Sequence, residues 1–244
     1  ATPIYVAVPK GSYGTLAITL ATATDKMVVK FNSNLKPITA GTVREFTEFE
    51  YQANSSATEE VFEIDSKEAL IEFARIASTF YPRTKAVVTT PIDMSGYEWT
   101  PIENFGSFIF DGGEKEIKGL SAPLFSSTSA TIRNLRLTDV EIETIDTSNY
   151  GAIACHLNGG ALENCSATGN MTYTLATVGL KRVGGLIGYA NNCGFFNNTN
   201  NININFIGEL AAGDGTLLHM GGAAGWLSNP KTPISNCSNN GSIT

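Results

Sequence analysis

One short pattern recurs through the second half of this chain, and the recurrence limits what the chain can fold into. Val183-Gly184-Gly185-Leu186-Ile187-Gly188-Tyr189 runs on to Phe195-Phe196-Asn197-Asn198-Thr199-Asn200. Upstream, Gly151-Ala152-Ile153-Ala154-Cys155-His156 leads to Leu162-Glu163-Asn164-Cys165. Downstream, Gly221-Gly222-Ala223-Ala224-Gly225-Trp226 leads to Ile234-Ser235-Asn236-Cys237. A degenerate copy joins Pro123-Leu124-Phe125-Ser126 to Ile132-Arg133-Asn134-Leu135. Asn134, Asn164, Asn197 and Asn236 therefore recur every few tens of residues. This is the period of solenoid units, each too short to enclose a core and so obliged to stack.

Between and after these corners apolar residues alternate with polar ones (Leu135, Leu137, Val140, Ile142; Ile202, Ile204), which is strand periodicity. Strands of successive repeats pair edge to edge in parallel, with like side chains stacked roughly 4.8 Å apart. The predicted fold is all-β, a right-handed parallel β-helix, the hand following from the rule for parallel crossovers. Glycine permits tight corners or close backbone approach, and asparagine tolerates the left-handed conformation while its amide bonds to the corner backbone. The copies at Gly151 and Gly221 lack the Leu-Ile pair and are expected to be thinner or less regular.

Gly184-Gly185-Leu186-Ile187-Gly188, with the corners Asn164-Cys165-Ser166-Ala167-Thr168-Gly169 and Asn236-Cys237-Ser238-Asn239-Asn240-Gly241, resembles the GLUG-motif repeats of bacterial surface adhesins. The entry segment Ile92-Asp93-Met94-Ser95-Gly96, Trp99-Thr100-Pro101-Ile102, Phe110-Asp111-Gly112 and Ile117-Lys118-Gly119-Leu120 is similar to the opening of those domains and of pectate-lyase-like β-helices. The resemblance spans roughly residues 60 to 244. It implies architecture and a cell-surface setting, and brings no catalytic set with it.

Residues 1–53 have another texture. Ile4–Val8, Leu16–Leu20, Met27–Phe31 and Val43–Phe49 read as short strands divided by turn signals, an antiparallel β-sandwich segment too small to be complete. Val8-Pro9-Lys10-Gly11-Ser12-Tyr13 and Ile38-Thr39-Ala40-Gly41 are similar to the closing strands of fimbrial-type β-sandwich modules in Gram-negative gut bacteria. A polar linker, Gln52 to Glu60, follows. The one convincing helix runs from Asp65 or Ser66 to about Phe80, with Asp65 and Glu68 as a capping pair and Leu70, Ile71, Phe73, Ala74, Ile76, Ala77 and Phe80 on one face. It is expected to cap the open end of the β-helix domain, residues 61–244, whose first coil starts at Lys85–Thr90. Gly179–Arg182 and Gly208–Leu217 read as excursions from the coil walls. The chain opens without Met and already in strand-like sequence, and its last residues resemble the middle of a repeat. An exported protein with its leader removed, cut at both ends, is the expectation.

A net charge of −7 argues against a nucleic-acid partner, and no apolar run is long enough to span a bilayer. Cys165 and Cys237 share a stacked position two repeats apart, about 9.6 Å, beyond the roughly 7 Å a disulfide tolerates. Buried thiols are expected, with a Cys155–Cys193 bridge left open. His156 and His219 with these cysteines match no closed zinc site, so no metal or cofactor is expected. Acidic and basic residues after Asp146 are sparse. Glu209 and Asp214, followed by His219, read as a solvated loop, and Asp111 as a turn residue bonding to its own backbone. The asparagines from Asn197 to Asn205 are expected to form hydrogen-bonded ladders.

One constellation points to binding. Counted from the aligned glycines, His156, Tyr189 and Trp226 share a position on successive repeats, and the alternation that puts Ile153, Leu186 and Ala223 inward puts these three outward. Such a strip suits the apolar face of a sugar ring. Tyr97 and Trp99 are expected to pack between the first coil and its cap. The reading is a cell-surface adhesion or glycan-binding module, located extracellularly or on the outer membrane, without catalysis, its partner a glycan or a host or cell-surface protein. A polysaccharide-active enzyme on the same scaffold and a passive stalk stay open beside it.

Overall fold

The computed structural model describes residues 61–77, 85–106, 108–209, 215–231 and 234–244, together with the backbone of two strands near the start of the chain. Contacts divide the chain into two compact units, residues 1–58 and 59–244. In the first, Thr15–Ala21 and Lys26–Asn32 pair antiparallel, Thr15 opposite Asn32 and Ala21 opposite Lys26. These are two of the four strands expected there; Ile4–Val8 and Val43–Phe49 lie outside the described residues.

The second unit is built of parallel sheets. From Phe125 to Ser228 consecutive strands enter different sheets in rotation, and each pairs with its counterpart one repeat away. The long sheet holds Ile92–Asp93, Glu116–Lys118, Arg136–Ile145, Ser166–Thr174, Thr199–Ile207 and Ser238–Asn239 side by side. Asn149–Tyr150, Leu180–Gly184 and Leu217–Gly221 form a second sheet, and Phe125–Thr128, Ala154–Asn158, Ile187–Asn191 and Ala224–Ser228 a third. A fourth sheet of short strands, from Val61–Ile64 through Lys85–Val88, Ile109–Asp111, Thr131–Arg133 and Ala161–Glu163 to Gly194–Phe196, closes the cycle. The core lies between the sheets: Leu137, Val140 and Ile142 from one repeat meet Ala167, Met171 and Tyr173 from the next, all buried.

The corner asparagines are left-handed, with φ of 51° at Asn134, Asn164 and Asn236 and 56° at Asn197. Their amides run as a ladder. Asn164 Nδ2 donates to Asn134 Oδ1 at 2.9 Å, and Asn236 Nδ2 to Asn197 Oδ1 at 3.1 Å. Asn198 lies inside, accepting from the Cys165 N–H at 3.0 Å and donating to the Leu162 carbonyl at 2.9 Å, so it satisfies two buried backbone groups at once.

The paired glycines have a different cause from the corners. A Cβ on Gly185 would fall on Asn200 Oδ1 and the Gly222 carbonyl oxygen, and one on Gly222 would fall on the Asn239 amide. Asn200 is wholly buried, accepting from the Ile202 N–H at 3.2 Å and donating to Asn239 Oδ1 at 2.7 Å. In the preceding repeat Ala152, whose N–H donates to the Gly185 carbonyl, and Ala167, opposite Asn200, occupy the corresponding places, and both are wholly buried. That repeat is neither thin nor irregular: Ala152, Ile153 and Ala154 are completely buried. In the repeat beginning at Leu217, Leu218, Met220, Ala223 and Leu227 are partly buried and pack against the core.

The helix spans Lys67–Ile76, and the described residues do not extend to Phe80. Ser66 is its cap, its hydroxyl oxygen accepting from the Ala69 N–H at 3.2 Å, while Asp65 instead accepts from the Ser66 hydroxyl at 3.1 Å. Phe73, fully buried, meets Phe62, Phe105 and Phe110 at centroid distances of 5.7, 5.2 and 5.5 Å. The fourth sheet begins one strand earlier than expected, because Val61–Ile64 pairs with Lys85–Val88 and the helix forms the connection between them.

All four cysteines are free, which closes the Cys155–Cys193 alternative. Burial drives the Cys165 thiol up to about 12 and the Cys155 and Cys193 thiols up to about 11, so they act as small apolar fillers. Asp111 does more than close a turn. Besides accepting from the Gly113 N–H at 3.0 Å, it pairs with Arg133 at 2.9 Å and Lys85 at 3.3 Å, tying three neighbouring strands together.

Candidate functional site

The expected strip exists as a register, with His156 opposite Tyr189 and Tyr189 opposite Trp226 on adjacent parallel strands. Ser127 continues the column on the other side of His156. The inward partners Ile153 and Leu186 are wholly buried, while Trp226 is 39% exposed. The His156 and Tyr189 rings stack, 4.9 Å apart and 20° from parallel, a contact worth roughly 0.5–1.5 kcal/mol beyond its buried area.

A second column lies against this one. Asn149, Arg182 and His219 face one another across the neighbouring three-stranded sheet. The two sheets approach closely because Gly188 and Gly225 have no side chains. A Cβ on Gly188 would strike the backbone of Asn149 and Tyr150, and one on Gly225 the backbone of Arg182 and Val183. The Arg182 guanidinium consequently lies over the Tyr189 ring at 4.5 Å and the Trp226 ring at 5.3 Å. His219 meets Trp226 edge to face at 4.4 Å. Arg182 Nη1 donates to Asn149 Oδ1 at 3.1 Å, whereas Arg182 Nε and His156 Nε2 are buried without a hydrogen-bond partner. Burial, and after it the positive charge of Arg182, holds the His156 imidazole below its ordinary value.

Arg182 and Asn149 were not singled out for binding from the sequence, and His219 was weighed only beside Glu209 and Asp214 and as a zinc ligand. Leu180–Gly184 is a strand where the Gly179–Arg182 excursion was expected, and Leu217–Gly221 begins where the Gly208–Leu217 excursion was expected to end. A signal was present: Asn149, Arg182 and His219 each precede their strip neighbour by the same interval, 149 to 156, 182 to 189 and 219 to 226. Of the other weighed groups, Asp214 lies outside the described residues and His219 belongs to the ring cluster. Trp99 is buried, its Nε1–H donating to the Pro123 carbonyl at 3.0 Å, and Lys67 lies over the Tyr97 ring at 4.9 Å, so this pair packs the entry as expected. A cleft of about 400 Å³ there is lined by Ile71, Tyr97, Trp99, Pro101 and Glu103, and its Arg75 is already paired with Glu72.

The matched relative is a peptidase region. Residues 103–169 match the family model of the M26 IgA1-specific metallo-endopeptidase N-terminal region. The match covers less than half of the chain and takes in His156 but not Arg182, Tyr189 or Trp226. No curated protein and no solved structure matches. The likeness to part of a peptidase overturns the expectation of a chain with no place among enzymes. A metallo-endopeptidase implies a bound metal, and the residues do not fit one. Among the described residues no group of three or more His, Cys, Asp or Glu side chains could hold a metal ion, and His156 and His219 are committed to ring contacts with Tyr189 and Trp226. No step of peptide hydrolysis is therefore derived from these residues. No helix among the described residues is long and apolar enough to cross a membrane.

Proposed function

We propose that residues 59–244 form a right-handed parallel β-helix, capped by the Lys67–Ile76 helix, that serves an exported cell-surface protein as a carbohydrate-binding region. The rotation of successive strands through separate parallel sheets supports the architecture. The binding reading is carried by one observation: the in-register column His156, Tyr189 and Trp226, with its last ring exposed. Flat aromatic surface with a polar handle covers the apolar face of a pyranose, and neighbouring amides and cations supply hydrogen bonds to its hydroxyls. The likeness to GLUG-motif adhesin repeats supports the surface setting. The match at residues 103–169 supports a place beside other activities in a longer protein, where a binding region would hold a substrate or surface close.

A second reading is favoured by that match, whose name specifies an immunoglobulin: the same face would then recognise a protein. A glycan array carrying immobilised IgA1 as an additional spot tests both readings. Wild-type chain is run beside the Tyr189→Ala/Trp226→Ala variant, with folding checked by circular dichroism. Binding to saccharides that disappears in the folded variant supports the carbohydrate reading. Binding to IgA1 stripped of its glycans supports the second, and silence on every spot overturns both.

A further inference from the structure

We propose that the sugar bound on this strip is an acidic one, its carboxylate or sulfate paired with Arg182. This rests on the carbohydrate reading of the same face. The chain carries a net charge of −7, yet the one cation at the centre of the strip is left uncompensated. Arg75, Lys85, Lys118, Arg133 and Lys181 each pair with an Asp or Glu, whereas Arg182, like Lys67, Lys115, Arg136 and Lys231, has no carboxylate partner among the described residues, and of these it is the one that lies over the rings of the strip. Its hydrogen bond goes to the neutral Asn149 Oδ1.

The setting holds the guanidinium ready for an anion. Its Cζ lies 4.5 Å from the Tyr189 ring centre and 5.3 Å from that of Trp226, so two ring contacts and the Asn149 bond limit how far the group can move. A guanidinium carries five donors, and one is used by Asn149 while Nε has no partner. A planar fork held over aromatic rings loses less freedom when it makes two parallel bonds to a carboxylate or sulfate. A pyranose stacked on the exposed Trp226 would carry an anionic substituent within reach of that fork, and His156 Nε2 offers a further buried polar atom without a partner in the adjoining column. A neutral sugar would use the rings and leave the charge unanswered.

The test uses the full chain and three oligosaccharides of one backbone and length: a uronate, its carboxyl-reduced neutral counterpart, and the neutral compound bearing a sulfate. Affinities are measured by titration calorimetry at low and high salt. The proposal expects one or both acidic compounds to bind about tenfold or more tightly than the neutral one, a preference that shrinks as salt rises. Arg182→Gln removes the preference. Asn149→Asp, which keeps the arginine and supplies it with a carboxylate, removes it too and guards against a folding defect in the first variant. Equal affinity of wild type for acidic and neutral compounds, or a preference that survives both substitutions, overturns the anionic assignment while leaving the carbohydrate reading intact. Failure of all three compounds and of the glycan array overturns that reading and the assignment with it.

Discussion

Replacing Gly185 by alanine tests why the paired glycines are there. The added methyl falls on the buried Asn200 amide and on the Gly222 carbonyl oxygen. Overpacking of this kind costs about 1–3 kcal/mol. A displaced Asn200 also gives up its bond from the Ile202 N–H, and a buried donor left unpaired costs about 1–3 kcal/mol more. Gly185→Ala should therefore lose about 2–6 kcal/mol, and Asn200→Ala, which strands the same N–H and the Asn239 amide oxygen, about 2–4 kcal/mol. The double variant removes the Asn200 contact but leaves the Gly222 carbonyl oxygen in the path of the methyl, so it should lie about 1–3 kcal/mol below Asn200→Ala alone, while the Ile202 N–H is stranded once instead of twice, a coupling of about 1–3 kcal/mol. Urea midpoints followed by circular dichroism, with slopes checked for constancy, read all three differences. Additive losses would refute the account, showing that the carbonyl of Gly222, and not Asn200, excludes the methyl.

Phe73→Ala removes the ring through which the helix meets Phe62, Phe105 and Phe110, and should cost about 3–5 kcal/mol, measured as a lowered urea midpoint. Asn198→Ala strands the Cys165 N–H and the Leu162 carbonyl and should cost about 2–5 kcal/mol, whereas Asn236→Ala on the exposed ladder should cost under about 1 kcal/mol; parallel thermal melts separate the two. The His156 imidazole titrates below its unfolded value because of burial and Arg182, so the unfolded chain takes up the proton first. Its contribution to stability is present above the unfolded value of 6.5 and is lost as pH falls from there toward the folded one. Arg182→Gln removes the second cause, so a proton NMR titration should find the His156 midpoint raised.

Much of the second unit was legible because a stacked repeat writes the same constraint several times. Asn134, Asn164, Asn197 and Asn236 mark a left-handed corner that few other residues tolerate, and the alternation after each one marks a strand with one buried face. The column His156, Tyr189 and Trp226 followed from counting out of the glycines. Its companion column was overlooked because Arg182 was assigned to an excursion and His219 was weighed with Glu209 and Asp214, although Arg182 and His219 keep a fixed interval to the strip. Val61–Ile64 was hidden for another reason: a four-residue strand with a glutamate in it has too little periodicity to distinguish it from linker, and only pairing with Lys85–Val88 makes it a strand. The free arginine edge was beyond reach of sequence, since a missing partner is a fact of three-dimensional packing.

The two tryptophans allow one direct measurement of the central claim. Trp99 is 4% exposed and hydrogen-bonded, while Trp226 is 39% exposed at the end of the strip, so an external quencher such as acrylamide reports chiefly on Trp226. Quenching is measured with and without a saturating saccharide chosen from the array. A bound sugar stacked on the strip should shield Trp226 and lower the quenching constant, with Trp226→Phe abolishing the change. A saccharide that binds with full affinity while Trp226 stays as accessible as before would place the site elsewhere and contradict the account.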